Sequence, residues 1–437
     1  MSTSFSLLAT RRFGPFFGTQ FLGAFNDNLF KNALIVLLTF HAAQWTTLAP
    51  ELLANVAAGV FILPFFLFSA TAGQLADKYD KALLARLVKV LEIGIVLIAG
   101  VGFALHSLAV LLGALFLFGL HSTLFGPVKY ALLPQHLRDD ELVGGNAMIE
   151  AGTFVAILVG TLAGGLLATI DSLWITGACL ATAVAGYLVS RGIPAAPAPD
   201  PALRINPNPF SETWRNIGYA REDRKVFQAI LGISWFWLFG ALLLAQFPAY
   251  ARSVLGGSET SVTLLLATFT FGVGIGSLLC ERLSAGQVKA GLVLLGAIGM
   301  MLFGLDLSFA SPARPAPATL GMQALLAAAG TPRVLVDLFA IGLFGGLFIV
   351  PLYALMQLRA NPAHRARVIA ANNIANALFM VVGALLAAKL LSAGCTIPQL
   401  FGLAAVGNGV MAVLIVRLVP GSLGRLRRLL PRTTGQG

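Results

Sequence analysis

Ser107-Leu108-Ala109-Val110-Leu111-Leu112-Gly113-Ala114-Leu115-Phe116-Leu117-Phe118-Gly119-Leu120-His121-Ser122-Thr123-Leu124-Phe125-Gly126 runs for twenty residues without an acidic side chain, a lysine or an arginine. As a helix it would extend about 30 Å, the thickness of the hydrocarbon core of a bilayer. Comparable apolar stretches lie at 13–40, 51–74, 82–104, 107–126, 146–169, 172–190, 226–250, 260–280, 290–310, 334–357, 368–391 and 398–419. They show no period-two alternation and are about twice as long as a membrane strand needs, which excludes a β-barrel. The pattern predicts an all-α membrane protein with twelve transmembrane helices.

Composition agrees. The chain is 57% hydrophobic and 11% charged, with a mean hydropathy of +0.85. Its 31 Phe outnumber its 18 acidic residues, so a water-soluble fold would carry a largely apolar exterior, which lipid tails accept and water does not. The net charge of +11 sets topology and does not point to nucleic acid: with a cytoplasmic N-terminus, about 24 of the 29 Lys and Arg residues fall in cytoplasmic segments. These include Arg11 and Arg12; Lys78, Lys81, Arg86 and Lys89; and Arg425, Arg427, Arg428 and Arg432. Arg252, Arg314, Arg333 and Lys389 fall on the other side. Both termini are expected in the cytoplasm.

The segment 191–225 is rich in proline and ends in Arg221-Glu222-Asp223-Arg224-Lys225, which divides the chain six plus six. The expected organisation is an N-terminal six-helix bundle at 1–190, a cytoplasmic linker at 191–225, a C-terminal six-helix bundle at 226–420 and a basic cytoplasmic tail at 421–437. Weak echoes join the halves. Tyr130-Ala131-Leu132 leading to Asn146 resembles Tyr353-Ala354-Leu355 leading to Asn372, as parallel repeats in transporters would. Cys179, Cys280 and Cys395 are odd in number, and His41, His106, His121, His136 and His364 are scattered singly, so no disulfide framework, metal site or catalytic residue is expected, and no cofactor. Thr10-Arg11-Arg12-Phe13 faintly resembles an export signal, but the following run is too long and contains Asp27 and Lys31; it reads as a retained first helix.

Gly73-Gln74-Leu75-Ala76-Asp77-Lys78, followed by Lys81, resembles the signature between the second and third helices of the major facilitator superfamily, with Asp80 and Ala82 replacing usual motif positions. The resemblance implies two six-helix bundles and a gating role for Gly73, Asp77, Lys78, Lys81 and Arg86. Asp77 would meet a helix N-terminus or pair with Arg86. Within that superfamily, Gln20-Phe21-Leu22-Gly23-Ala24-Phe25-Asn26-Asp27-Asn28-Leu29-Phe30-Lys31-Asn32 resembles the first helix of bacterial lysophospholipid transporters, and Phe125-Gly126-Pro127-Val128-Lys129-Tyr130-Ala131-Leu132-Leu133-Pro134 the loop after their fourth. That likeness implies movement of lyso-phosphatidylethanolamine from the outer to the inner leaflet of the bacterial inner membrane. There a separate acyltransferase and acyl-carrier-protein synthetase would re-acylate it.

Asp27 and Lys31 lie near the middle of the first helix, where each charge costs about 2.5–3.5 kcal/mol. They stand four residues apart, on one helix face. Two readings follow: Asp27 and Lys31, with Asn26, Asn28 and Asn32, line a cavity and meet a zwitterionic headgroup, or the two charges neutralise each other within the helix. Trp237 and Gln246 of the seventh helix are further substrate-binding candidates, since the resemblance places that helix at the cavity. Glu92, Glu150, Asn372 and Asn376 are polar intramembrane positions, the two glutamates close enough to the cytoplasmic face to snorkel. Gly160, Gly164 and Gly274 suit close helix packing, or a seam through which an acyl chain slides. The rival functions are proton-coupled export of drugs or amphipathic metabolites through Asp27 or Glu150, and a non-transporting membrane partner of an acyltransferase.

Overall fold

A computed structural model describes residues 4–40, 50–311, 320–328 and 330–418. Among these, fifteen α-helices follow one another: α1 Ser4–Leu8, α2 Gly14–Phe40, α3 Pro50–Lys78, α4 Lys81–Ala104, α5 Leu108–His136, α6 Leu142–Ala168, α7 Ser172–Ser190, α8 Pro209–Glu222, α9 Arg224–Ser253, α10 Glu259–Ser284, α11 Ala290–Ala310, α12 Met322–Ala327, α13 Thr331–Arg359, α14 Arg365–Ser392 and α15 Ile397–Leu418. Twelve of them run 19 residues or longer, and these are the twelve expected spans. Among the described residues, eleven are long and apolar enough to cross a membrane. The exception is α2, whose hydropathy is lowered by Gln20, Asn26, Asp27, Asn28, Lys31 and Asn32. Apolar side chains such as Leu97, Val101, Leu166, Leu173, Trp174, Phe309 and Leu385 stand outward and exposed, as a lipid-facing surface requires. The basic tail 421–437 and Arg314 lie outside the described residues.

Several helices outrun their apolar stretches. The Gly73–Lys78 signature, read from sequence as a loop, forms the last turns of α3, and the chain breaks only at Asp80. There the Asp80 carboxylate accepts the Leu83 N–H at 2.9 Å and starts α4. The Phe125–Pro134 stretch, also expected as a loop, is helical through Pro127 and Pro134. Each proline forfeits one backbone bond, but apolar neighbours on both sides keep the helix continuous. The linker is likewise more ordered than its prolines suggest. Asn208 caps and Pro209 opens the amphipathic helix α8. Upstream of it, Ala196 N–H donates to Asp80 at 2.8 Å, and Gln74 exchanges two bonds with the Asn206 backbone at 2.6 and 3.1 Å.

By their contacts the residues fall into two compact units. One lies within Met1–Gly145, Gly152–Phe227 and Gln357–Leu378, the other within Asn146–Ala151, Gln228–Met356 and Phe379–Gly437.

In the first unit Gly160 and Gly164 of α6 press against the α2 backbone at Phe25, Leu29 and Ala33, where any side chain would collide. Ahead of α2, Arg12 forms a two-pronged pair with Glu141 at 2.5 Å on each arm. Hydrogen bonding to that guanidinium pulls the Glu141 carboxyl down to about 2.

In the second unit Gly272 and Gly276 of α10 take the corresponding close contact with α13, whereas Gly274 faces open space. The two glycines four residues apart make the packing seam, and Gly274 is free of it. Arg333 pairs with Asp306 through Nε at 2.9 Å, while Asp337 is buried.

Candidate functional site

The polar side chains of the first unit converge on α2, α4 and α5. Asp27 does not pair with Lys31. Its carboxylate accepts the Ser122 hydroxyl and lies 3.6 Å from His121 Nδ1, both from α5. The Lys31 ammonium instead stands over the Phe61 ring of α3, 5.2 Å from its centroid. The intrahelical pair expected from the four-residue spacing is therefore replaced by a contact between helices. An i,i+4 spacing brings two side chains to one face, but a carboxylate on a single methylene has little reach and takes its nearest polar neighbour.

Behind Asp27 the network continues to Glu92. Its carboxylate takes the Lys89 ammonium at 2.6 Å and the Asn26 amide at 2.6 Å, and lies 3.2 Å from His121 Nε2. Glu92 and Lys89 are both 0% exposed. This corrects two expectations. Glu92 does not snorkel, and Lys89, counted among the cytoplasmic topogenic charges, lies wholly inside the helix bundle. The cause is mutual. Burial of either charge alone would be prohibitive, whereas one turn of α4 places acid and base side by side. Small residues make the room: Gly23 of α2 and Gly186 of α7 face the Lys89 side chain, and a Cβ at Gly23 would fall 2.5 Å from Nζ. The Lys89 ammonium also lies 5.7 Å from the Phe125 ring centroid.

The other asparagines of α2 are committed to structure. Asn28 donates to the Ala24 carbonyl of its own helix at 2.8 Å, and Asn32 to the Thr161 carbonyl of α6 at 2.7 Å. Farther along, Lys129 Nζ lies 3.4 Å from Thr153 Oγ1, which donates to Gln20 at 3.3 Å. Glu150, expected to snorkel, is fully buried in α6. Asn372 and Asn376 are buried in α14. Trp237 and Gln246 belong to the second unit, both half-buried on α9. The Trp237 indole donates to Tyr353 Oη at 2.9 Å. The structure thus joins Asn26 and Asp27 with Glu92, and adds three participants that sequence reasoning did not single out: Lys89, His121 and Ser122.

A second cluster surrounds the signature at the end of α3. Asp77 is fully buried and sits on the N-terminus of α14, accepting Ala366 N–H at 3.1 Å, Arg367 N–H at 3.3 Å and Arg367 Nε at 3.0 Å. Helix N-termini present unpaired N–H groups and partial positive charge, so a carboxylate is the fitting cap. Its ion partner is Arg367, not Arg86, which donates to the Ile193 carbonyl at 2.9 Å. Gly73 faces Arg367 and Ala370 where α14 comes nearest. Arg367 also stacks on Tyr219 of α8, 4.9 Å from the ring centroid, and Tyr219 stacks on His364 at 4.1 Å. Lys81 is buried beside this cluster, while Lys78 lies 5.8 Å from the Tyr79 ring centroid.

A family model described as Major Facilitator Superfamily matches residues 16–336. Among curated relatives, the lysophospholipid transporter LplT of Enterobacter sp. (strain 638) is 27% identical over 350 residues, 78% of each chain. That of Klebsiella pneumoniae (strain 342) is 27% identical over 413 residues, 91% of this chain and 92% of its own. Solved structures share the fold at low identity. The human organic anion transporter TETRAN superposes with a TM-score of 0.71 at 14% identity, covering 92% of this chain and 99% of that one. The E. coli fucose:proton symporter FucP gives 0.67 at 12% identity, with 93% and 98% covered. Twelve long helices, the signature at the end of α3 and the match across most of the sequence make this chain a member of the Major Facilitator Superfamily.

Proposed function

We propose that this chain is a secondary transporter of lysophospholipids in the bacterial inner membrane, carrying them from the outer to the inner leaflet, where a separate acyltransferase restores the second chain. The names of the relatives support the substrate class. The observation that carries the reading is the state of the α2 charges. Asp27 accepts the Ser122 hydroxyl and lies 3.6 Å from His121, and Lys31 has an aromatic ring against its ammonium. A carboxylate and an ammonium one turn apart, neither consumed by the other, match the ammonium and phosphate of an ethanolamine headgroup. The acyl chain then stays in lipid, since withdrawing it to water costs about 0.8 kcal/mol per methylene. Nothing in this route requires catalysis, and the chain acts as a carrier, not an enzyme.

Proteoliposomes offered labelled lysophosphatidylethanolamine, its diacyl parent and a cationic dye test the assignment. Lysolipid should move and the diacyl lipid should not. Lys31→Ala should lower lysolipid transport about 10- to 100-fold, the loss of one charge-assisted hydrogen bond to phosphate. Transport of the dye without the lysolipid would remove the lipid assignment and favour drug export.

The positive-inside distribution supports cytoplasmic termini and a cytoplasmic linker. Intact cells treated with a membrane-impermeant thiol reagent should then label Ser311→Cys and spare Ser211→Cys. The reverse pattern would invert the orientation.

A further inference from the structure

His121 is the one member of the buried network placed between two carboxylates. Its Nδ1 lies 3.6 Å from Asp27 Oδ1 and its Nε2 3.2 Å from Glu92 Oε2, with the ring 2% exposed. A neutral imidazole carries one N–H and one lone pair, so it can satisfy only one of these carboxylates and sets its lone pair against the other. Water cannot relieve that repulsion at a site so deeply enclosed. An imidazolium turns an N–H and its positive charge toward both at once.

The titratable groups beside the ring are Asp27 from α2 and Glu92 from α4; Lys89 pairs with that Glu92, Lys31 stands one turn from Asp27 against Phe61 of α3, and the Cys179 thiol of α7 is buried. Asp27 and Glu92 are balanced by Lys89 and Lys31 when the imidazole is neutral, so protonation gives the set one net positive charge. Asp27 is the exit from this arrangement. It is the network carboxylate that retains some exposure, 8% against 0% for Glu92, so a ligand would meet it first.

We propose that His121, held between Asp27 and Glu92, is a proton-binding site, and that a cationic headgroup docking on Asp27 displaces its proton. The coupling half rests on the headgroup reading above; the proton site does not. An ammonium and the imidazolium compete for one carboxylate, so each weakens the other by the same factor. Headgroup binding therefore releases a proton, and lowering the pH weakens headgroup binding by up to about tenfold per unit, the limit for one exchanged proton.

The test uses the full-length chain in lipid nanodiscs. Replacing His41, His106, His136 and His364 by Gln leaves His121 as the single histidine. Its ring 15N signals, recorded without ligand at pH 7, should show both nitrogens protonated. A neutral imidazole would overturn the proton site, and that measurement requires no substitution at His121 itself. Lysophosphatidylethanolamine is then added to the wild-type chain in weak buffer with a pH indicator. One proton should be released per headgroup bound, and His121→Asn should bind without release, with an affinity that no longer varies with pH. Binding without release in the wild-type chain, or release that persists in His121→Asn, would overturn the coupling. A doubly protonated His121 in a chain that does not bind the lysolipid would sustain the proton site and remove the headgroup reading.

Discussion

Lys89→Met should destabilise the protein by about 3–5 kcal/mol, because it leaves the Glu92 carboxylate buried without its cation. The pair is 2.6 Å apart and neither side chain reaches solvent. Asn26 and His121 remain beside Glu92, but the amide carries no charge and the histidine ring is shared with Asp27, so neither replaces the lysine 2.6 Å away. Lys89→Met with Glu92→Gln should recover much of the loss, since the double variant removes both charges and keeps a group able to bond Asn26. Thermal unfolding in a single detergent, read as a double-mutant cycle, should give a coupling energy of about 1.5–3 kcal/mol. The same cycle on Asp27→Asn and Lys31→Met should be close to additive, because those side chains have different partners. A Lys89→Met variant as stable as the wild type, or an additive Lys89 and Glu92 cycle, would show that the buried pair does not hold the bundle. The control matters as much as the test. Strong coupling between Asp27 and Lys31 would restore the intrahelical pair that the four-residue spacing suggested.

The helices are legible in the sequence because each is a local property: an apolar run of bilayer length, broken by charge or proline. Their ends are less so. Gly73–Lys78 and Phe125–Pro134 contain the residue types of loops, yet both extend a helix already nucleated by the apolar run before it, and extension is easier than initiation. Helix α8 carries a readable signal in Asn208-Pro209, cap followed by first-turn proline, obscured by the prolines upstream. At the site, Asp27 stands out because a lone carboxylate in mid-span demands a reason. Its partner does not. Local spacing favours Lys31, four residues away, whereas the contact made is with His121 and Ser122, 94 and 95 residues on, and one sequence carries no record of which helix faces which. Lys89 and Glu92 mislead for a related cause: proximity to Lys81 and Arg86 gives them the look of a surface cluster. An acid and a base one turn apart inside an apolar stretch is the same signal that marks α2, and here it means burial. Gly23 and Gly186, which make space for Lys89, are interpretable only once the lysine is known to point between them.

Asp77→Ala should slow transport by about 10- to 100-fold while leaving substrate affinity within about threefold, the signature of a residue that acts on the conformational equilibrium and not on the cargo. Its carboxylate is fully buried on the first turn of α14, and its removal withdraws three acceptor contacts and leaves the Arg367 guanidinium without its nearest carboxylate. Such a loss is worth several kcal/mol in any state that makes these contacts, and nothing in a state that does not. The variant therefore shifts the population toward states in which α3 and α14 are apart. A carrier must visit both, so making one scarce slows the whole cycle. The binding candidates on α2 are separate from this cluster: Asp27 contacts α5, whereas Asp77 contacts α14. Asp77→Glu should retain more transport than Asp77→Ala, because a longer carboxylate still offers an acceptor to the helix end, although Gly73 leaves little slack where α14 comes nearest. Arg367→Ala should resemble Asp77→Ala only in part, since the backbone N–H groups of Ala366 and Arg367 would still hold the carboxylate. Initial rates and equilibrium binding measured on the same preparations separate the two quantities. A fall in affinity at unchanged maximal rate would place Asp77 in substrate recognition and count against a gating role.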